Sequence, residues 1–491
     1  MAGQTNHSVQ ATTSKTQALR ETGELHRGAM NRIEAFSSSV AAIAPAGSIL
    51  IVFGAIVAPA GIGSGLVLLV ATIAFAFHIN TVAQYNRVSP SPGFYVSYVA
   101  RAFNVTAATV TAALYGVGEV ILLGVAIFGP ALWDQEVIKL LSGYAPPWWL
   151  MVLVQGVIGI IVVASGVVFS VRVIASLFAF EVVTILIGVI AILATHASYI
   201  PHSGAAFSPS NITSTGGFGA AFTLCILIFT GCSASAPMSD EMANPRRNIP
   251  IAVFTAVGVA GFLYILAMWA QVIGFSGHEG PMLKTNFPFI TAAAASGGWV
   301  KYLLYVSGLT SGLAVTLATL NACSRLYFNM SRERLLPNFV SGIWRRRKTP
   351  WNAIAIVGVA SVLIMIFYTA IAAGWSYNAG YTGYAEIATL GTDLVIVVYI
   401  MINVGLPFFA RKHAPELFSW GQHVVAPTLA TLILLYPLWE SVKPDQPAPY
   451  GWFWIVVVAV IVLGLIGGVI ASRRGLPVGE YESSEVDHAG K

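Results

Sequence analysis

Long apolar segments alternate with short polar ones along almost the whole chain. A helix needs about 20 mostly apolar residues to cross a hydrocarbon core roughly 30 Å thick, and segments of that length recur from residue 34 onward. The pattern predicts an all-α polytopic membrane protein with twelve transmembrane helices, at 34–58, 62–86, 105–132, 148–169, 173–197, 217–241, 250–273, 297–328, 350–373, 383–410, 422–440 and 451–472.

Composition supports a membrane protein. Hydrophobic residues make up 56% of the 491 positions and charged residues only 9%, whereas a soluble domain carries about 25% charged residues. The three cysteines, Cys225, Cys232 and Cys323, lie inside apolar segments without metal-ligand or redox spacing. We therefore expect reduced cysteines that pack in the interior.

The basic residues indicate an orientation. If the N-terminal tail lies in the cytoplasm and the spans alternate, 21 of the 25 lysines and arginines lie on the cytoplasmic side, and only Lys139, Lys284, Lys301 and Lys443 lie outside. Cytoplasmic loops are enriched in these residues, so both termini are predicted to be cytoplasmic and the protein to span the cell membrane. The pI of about 9.0 then reflects topology, and no nucleic-acid partner is expected.

The same pattern divides the chain into six parts. These are an N-terminal tail at 1–33, a five-helix repeat at 34–197, an extracytoplasmic loop at 198–216, a second, inverted five-helix repeat at 217–410, helices 11 and 12 at 411–474, and a C-terminal tail at 475–491. Catalytic motifs such as HExxH, GxSxG or a phosphate-binding loop do not occur in the sequence. The sequence predicts no enzyme, no cofactor and no bound metal.

Two glycine- or proline-containing segments compete as the break within the first helix. Ala44–Ser48 lies at the midpoint of span 34–58, whereas Gly61–Gly65 lies where one span ends and the next begins. Only a break at Ala44–Ser48 leaves room for a second crossing before the polar loop at 89–104, so Gly61–Gly65 is predicted to be the outer turn. The alternative is that Pro45 only kinks a continuous helix.

The second half contains a corresponding segment. Phe229 is the midpoint of span 217–241, and a run of small and hydroxyl residues, including Gly231, Ser233 and Ser235, follows it. The two breaks therefore fall in the first helix of each five-helix set. Broken helices at matching positions are typical of transporters built from inverted repeats, with the ligand between the half-helices.

Three ordered motifs resemble the amino acid/polyamine/organocation permease superfamily, which has the leucine-transporter fold. They are "SPGFYVSYVARAFN" at 91–104, "DEMANPRRNIP" at 240–250 and "NACSRLYFNMSRERLLPNFV" at 321–340. This chain departs from the family at two places: Pro45-Ala46-Gly47-Ser48 replaces the usual Gly-Ser-Gly, and Cys232-Ser233 replaces an aromatic residue followed by Glu.

The resemblance implies a substrate site at the two breaks. The amides of Ala46, Gly47 and Ser48 would hold a substrate carboxylate, while carbonyls at Ala44, Phe229 and Thr230 would receive an ammonium group. The whole predicted site comprises Ala44, Ala46, Gly47, Ser48, Phe229, Thr230, Gly231, Cys232, Ser233 and Ser235.

Three acidic residues lie within predicted spans: Glu119, Glu181 and Asp393. A charged residue at a helix centre costs roughly 2.5–3.5 kcal/mol on insertion scales, so each is a candidate for proton coupling. The alternative for each is a structural, hydrogen-bonded acid.

Taken with the resemblance, these features predict a secondary transporter that imports an amino acid by alternating access and proton symport. An amine or polyamine permease and an amino acid exchanger stay open as alternatives, as does sodium coupling. The expected partners are the substrate, the coupling ion and the lipid bilayer, and the sequence does not indicate an oligomeric state.

Overall fold

The computed structural model describes Leu25, residues 27–285, 287–443, Gln446 and 448–479, and this part of the chain is helical. Its only β-type pairings are two isolated bridges, Met30 with Met242 and Trp344 with Thr349. The predicted all-α class is thereby confirmed.

The first membrane segment consists of several pieces. Helix α1 (Arg32–Ala41) is followed by α2 (Pro45–Gly47), a π-helical turn (Ser48–Val52) and α3 (Phe53–Ala60). The later helices are α4 (Ser64–Val88), α5 (Phe94–Ala102), α6 (Val105–Ser142), α7 (Trp148–Ala164), α8 (Val167–Thr195), α9 (Thr215–Phe229), α10 (Pro245–Gly274), α11 (Glu279–Leu283), α12 (Pro288–Ala294), α13 (Gly298–Arg332), α14 (Trp351–Ala372), α15 (Ala379–His413), α16 (Ala426–Val442) and α17 (Phe453–Arg474).

Nine helical segments of the described chain are long and apolar enough to cross a membrane. Shorter apolar helices lie at Trp148–Ala164 and Gly216–Phe229. One of the nine, Arg32–Val88, has 57 residues and would extend about 86 Å as a straight helix, so it is too long for a single span. The protein is thus a polytopic membrane protein, and the count of twelve spans stays a prediction.

A tight turn interrupts that long segment between α3 and α4. Gly61 has a φ of 66° and begins a short 3-10 turn that ends at Gly63. A Cβ added at Gly63 would lie 2.7 Å from Ile212 Cγ1, so a larger residue would displace the neighbouring loop. Gly61 and Gly63 of "GIGSG" therefore lie at a turn next to residues 211–213, whereas Gly65 lies in the first turn of α4, next to Ala206.

Helix α6 lies at the centre of the bundle, because it packs against α13, α15 and α17. The residues after α17 return to the bundle surface, where Val478 is buried. There Arg101 Nε donates to the carbonyl oxygen of Gly479 at 3.1 Å. This contact ties the segment after the last helix to the end of α5.

Candidate functional site

Regular helical structure stops within the first membrane segment at Ala41 and resumes at Pro45. Between them, Ala44 adopts a left-handed conformation, with a φ of 50°. Proline disfavours the α-helical conformation of the residue before it but fits the first turn of a helix. Pro45 thus begins α2, and the non-helical residues are Ala42–Ala44, slightly earlier than the predicted Ala44–Ser48.

A second interruption follows α9. Thr230 is extended and Gly231 has a φ of 96°, and turns continue to the 3-10 segment Ala236–Glu241. A Cβ at Gly231 would lie 2.9 Å from the carbonyl oxygen of Ala42. The two interruptions are therefore in direct backbone contact.

A cavity of about 120 Å³ opens where the interruptions meet. Ala44, Gly47, Ser48, Thr230 and Gly231 of the predicted site line it, together with Glu119 on α6. The rest of the wall is largely apolar, for example Leu122, Val125, Leu227 and Val315. A water needs about 10–15 Å³ of such space, so the cavity has room for a small molecule or several waters.

The other predicted residues are buried behind the wall. Ala46 and Phe229 are fully buried, and Phe229 stacks on Phe75. Cys232 is buried, the Ser233 hydroxyl lies 3.1 Å from the Tyr95 hydroxyl, and Ser39 Oγ donates to Ser235 Oγ at 2.8 Å.

Each of the three predicted amide donors bonds to a group of the protein. Ala46 N–H donates to Glu181 Oε2 at 3.3 Å, Gly47 N–H to Ser311 Oγ at 3.0 Å, and Ser48 N–H to Ala44 O at 2.8 Å. The Ser311 hydroxyl also donates to Glu181 Oε2, at 2.8 Å. The Glu181 carboxylate, from α8, thus accepts a hydrogen bond from an amide of α2 that is expected to bind the substrate carboxylate.

Comparison with known families identifies the family of this chain. The family profile described as "Amino acid permease" matches residues 30–469, which include both interruptions and the cavity. The chain belongs to the amino acid permease family.

Several permeases and transporters are similar to this chain. A branched-chain amino acid permease, BcaP, of Bacillus subtilis is 25% identical over 291 residues, which cover 57% of this chain and 55% of BcaP. YecA, an uncharacterized amino acid permease of the same species, is 24% identical over 399 residues, covering 77% of this chain and 84% of YecA. A methylthioribose transporter of that species is 24% identical over 249 residues, or 50% of this chain and 49% of the relative.

The permease places its three candidate acids in different surroundings. Glu119 lines the cavity, and Glu181 contacts α2 and Ser311 as described above. Asp393 accepts a hydrogen bond from Ser441 Oγ on α16 at 2.8 Å and is not part of the cavity wall. The sequence identifies all three as intramembrane acids, but their hydrogen-bond partners depend on how the helices pack.

Polar contacts join several segments of the permease on the side where α1 begins. The buried ion pair Arg325–Glu241 has an Nε–Oε2 distance of 2.9 Å. Arg332 Nη1 lies 3.1 Å from Asp240 Oδ2, and Met30 N–H donates to Glu241 O at 2.8 Å. The segment after the second interruption is thereby tied to α13 and to the start of α1.

Tyr264 on α10 is a site residue that the sequence did not reveal. Its hydroxyl lies 3.1 Å from both Ile43 O and Ile228 O, one at each interruption. A lone tyrosine in an apolar helix has no motif that distinguishes it from a packing residue. Only the folded chain brings it between the two interruptions.

Proposed function

We propose that this permease is a secondary active transporter that imports an amino acid across the cell membrane by alternating access and proton symport. The observation that carries the proposal is the cavity at the contact between the two interruptions, with Glu119 in its wall and Glu181 bonded beside it. Exposed backbone at membrane depth is tolerated where it lines such a cavity.

The proposed architecture has twelve spans, with an inverted five-helix repeat at 34–197 and 217–410 and both termini in the cytoplasm. The matching positions of the interruptions in α1–α3 and after α9 support the repeat. The distribution of lysines and arginines supports the orientation. With that orientation, the Arg325–Glu241 and Arg332–Asp240 pairs close the cytoplasmic side in this conformation.

Proton coupling would use Glu181 or Glu119. Glu181 contacts an amide of α2 directly, so a change in its protonation would change how α2 is held to α8 and α13. A substrate carboxylate that binds at α2 would compete for the same donors. This competition would link substrate binding to protonation.

An amine substrate is the second candidate, and the cavity wall itself favours it. Glu119 is the one carboxylate or strongly basic side chain among the described residues of that wall, and the amides of Ala46 and Gly47 are already bonded. One relative's name, the methylthioribose transporter, also indicates that related proteins carry substrates other than amino acids.

Uptake by the purified protein tests both candidates. A thermal-shift screen against amino acids and amines would identify ligands, because a ligand that binds only the folded state raises apparent stability. The best ligand would then be offered to proteoliposomes with and without an inward proton gradient. We expect saturable uptake of an amino acid that the gradient drives above equilibrium. Uptake of amines alone would select the second candidate, and the absence of saturable uptake would refute both.

A further inference from the structure

Tyr264 lies between the two interrupted segments, next to residues that line the cavity. Its ring is fully buried and lies edge-on to Phe53, at 6.0 Å between centroids, and to Phe229, at 5.4 Å. Phe53 begins α3, in the same membrane segment as the first interruption, and Phe229 ends α9, directly before the second. Its ring therefore contacts both interrupted segments at once.

The hydroxyl of Tyr264 is shared between two carbonyl groups. Its oxygen lies 3.1 Å from Ile43 O and 3.1 Å from Ile228 O. Ile43 is in the non-helical segment, and Ile228 belongs to the last turn of α9, where carbonyls lack helical partners. Ile43 and Ile228 both line the cavity.

The bridge constrains the cavity more than a contact within one helix would. Ile43 O also accepts the Ser48 hydroxyl at 3.0 Å, so the first interruption is held by two donors. A carbonyl oxygen has two lone pairs, and Ile228 O keeps one for another donor when Tyr264 occupies the first. Tyr264 thus fixes the separation of the interruptions and the direction of the Ile228 carbonyl.

We propose that Tyr264 is a positioning residue of the substrate site, whose single hydroxyl bridges the two interruptions and keeps their backbone groups aimed at one ligand. This inference rests on the proposed transport function. The hydroxyl acts through Ile43 and Ile228. Because Ile43 O already accepts the Ser48 and Tyr264 hydroxyls, the ligand contacts the Ile228 carbonyl.

Tyr264→Phe removes the bridge and retains the ring. We expect the KM for the transported substrate to rise about tenfold, which corresponds to about 1.4 kcal/mol of binding free energy, because the backbone groups that bind it are no longer held in place. The maximal rate should stay within about twofold. The matched control is Tyr85→Phe, since Tyr85 is also fully buried and its hydroxyl donates to a backbone carbonyl, Ile402 O, at 3.2 Å. Tyr85→Phe should leave the KM unchanged.

Hydrogen exchange provides a readout that does not depend on transport. In Tyr264→Phe, amide exchange should accelerate in peptides covering 42–48 and 228–235, and in Tyr85→Phe it should not. If Tyr264→Phe changes neither the KM nor this exchange, or changes both no more than Tyr85→Phe does, the positioning role is wrong. A wild-type protein without saturable uptake would instead refute the proposed function, and the exchange comparison would still decide the role of Tyr264.

Discussion

Gly231 and Ala42 bring the two interruptions into backbone contact, since a Cβ on Gly231 would lie 2.9 Å from the Ala42 carbonyl oxygen. Gly231 also has a φ of 96°, a conformation that is unfavourable for other residues. One residue thus meets two constraints, one from its own backbone and one from the other half of the site.

Gly231→Ala should therefore destabilise the site. We expect a loss of at least about 1–2 kcal/mol from the backbone conformation alone, together with a fall in uptake on the order of tenfold. The measurement is the thermal unfolding temperature of the purified variant and its initial uptake rate. Gly258→Ala is the control, because a Cβ there meets nothing within 4 Å. Equal behaviour of the two variants would show that the contact has no role.

Loss of one partner of the Arg325–Glu241 ion pair should destabilise the protein more than loss of both partners. Both side chains are 1% exposed, and removal of one partner from a buried pair typically costs about 3–5 kcal/mol because the other charge is left uncompensated. We expect Arg325→Met to unfold at a markedly lower temperature than the double variant Arg325→Met/Glu241→Met. Lys443→Met, which breaks a partly exposed pair with Glu440, should cost no more than about 1 kcal/mol. A double variant less stable than Arg325→Met would contradict this account.

Glu181→Gln should separate proton coupling from transport. The glutamine side chain keeps an oxygen that can accept from Ser311 and Ala46, but it cannot bind and release a proton as a carboxylate does. We expect gradient-driven accumulation to fall on the order of tenfold while exchange of internal for external substrate continues. Asp393→Asn is the control, since Asp393 bonds to Ser441 and does not line the cavity. Full gradient-driven accumulation in Glu181→Gln would move the coupling role to Glu119.

Glu333, directly after α13, predicts a pH dependence of stability. Burial raises the pKa of its carboxyl to about 7, against the opposing effects of the Gly479 amide, the Asn329 side chain and the charges of Arg101 and Arg332. Because the folded-state pKa is raised, its stability contribution is fully present below pH 4.5, the ordinary value, and is lost as the pH rises to about 7.

Replacement by glutamine should remove this dependence. Wild-type protein should lose up to about 3 kcal/mol of unfolding free energy between pH 4.5 and 7 through this group, and Glu333→Gln should be the more stable protein at pH 8. Thermal unfolding at pH 5 and pH 8 measures the difference, with the exposed Glu416→Gln as control. Parallel pH profiles for wild type and Glu333→Gln would refute the prediction.

The sequence predicts the helices well because lipid imposes a length and a composition on each one. Their ends are less predictable: the third apolar segment is predicted at 105–132, whereas α6 continues to Ser142, since a helix with polar residues can extend beyond an apolar core. Hydropathy also cannot show that Pro45 begins a helix rather than lying within the interruption.

The partners of the site residues were beyond sequence reasoning for a different reason. Glu181 lies 135 positions from Ala46, and Tyr264 lies 221 positions from Ile43. Such contacts depend on the packing of helices that look alike as sequence. The motif residues Glu241 and Arg325 were conspicuous in the chain, but their pairing became evident only in the fold.

The hydrogen bond from Arg101 to Gly479 has a practical consequence for observing this permease at work. A fluorophore attached through a cysteine at the exposed Ser472, near the end of α17, would lie close along the chain to this connection with α5 and outside the cavity wall, and it would leave Gly479 unaltered, where an added Cβ would lie 2.3 Å from Ala100 Cβ. Its emission would report motion of that connection during turnover without chemical modification of the cavity. A label near the end of the last helix would therefore allow the motion of this segment to be measured during substrate uptake.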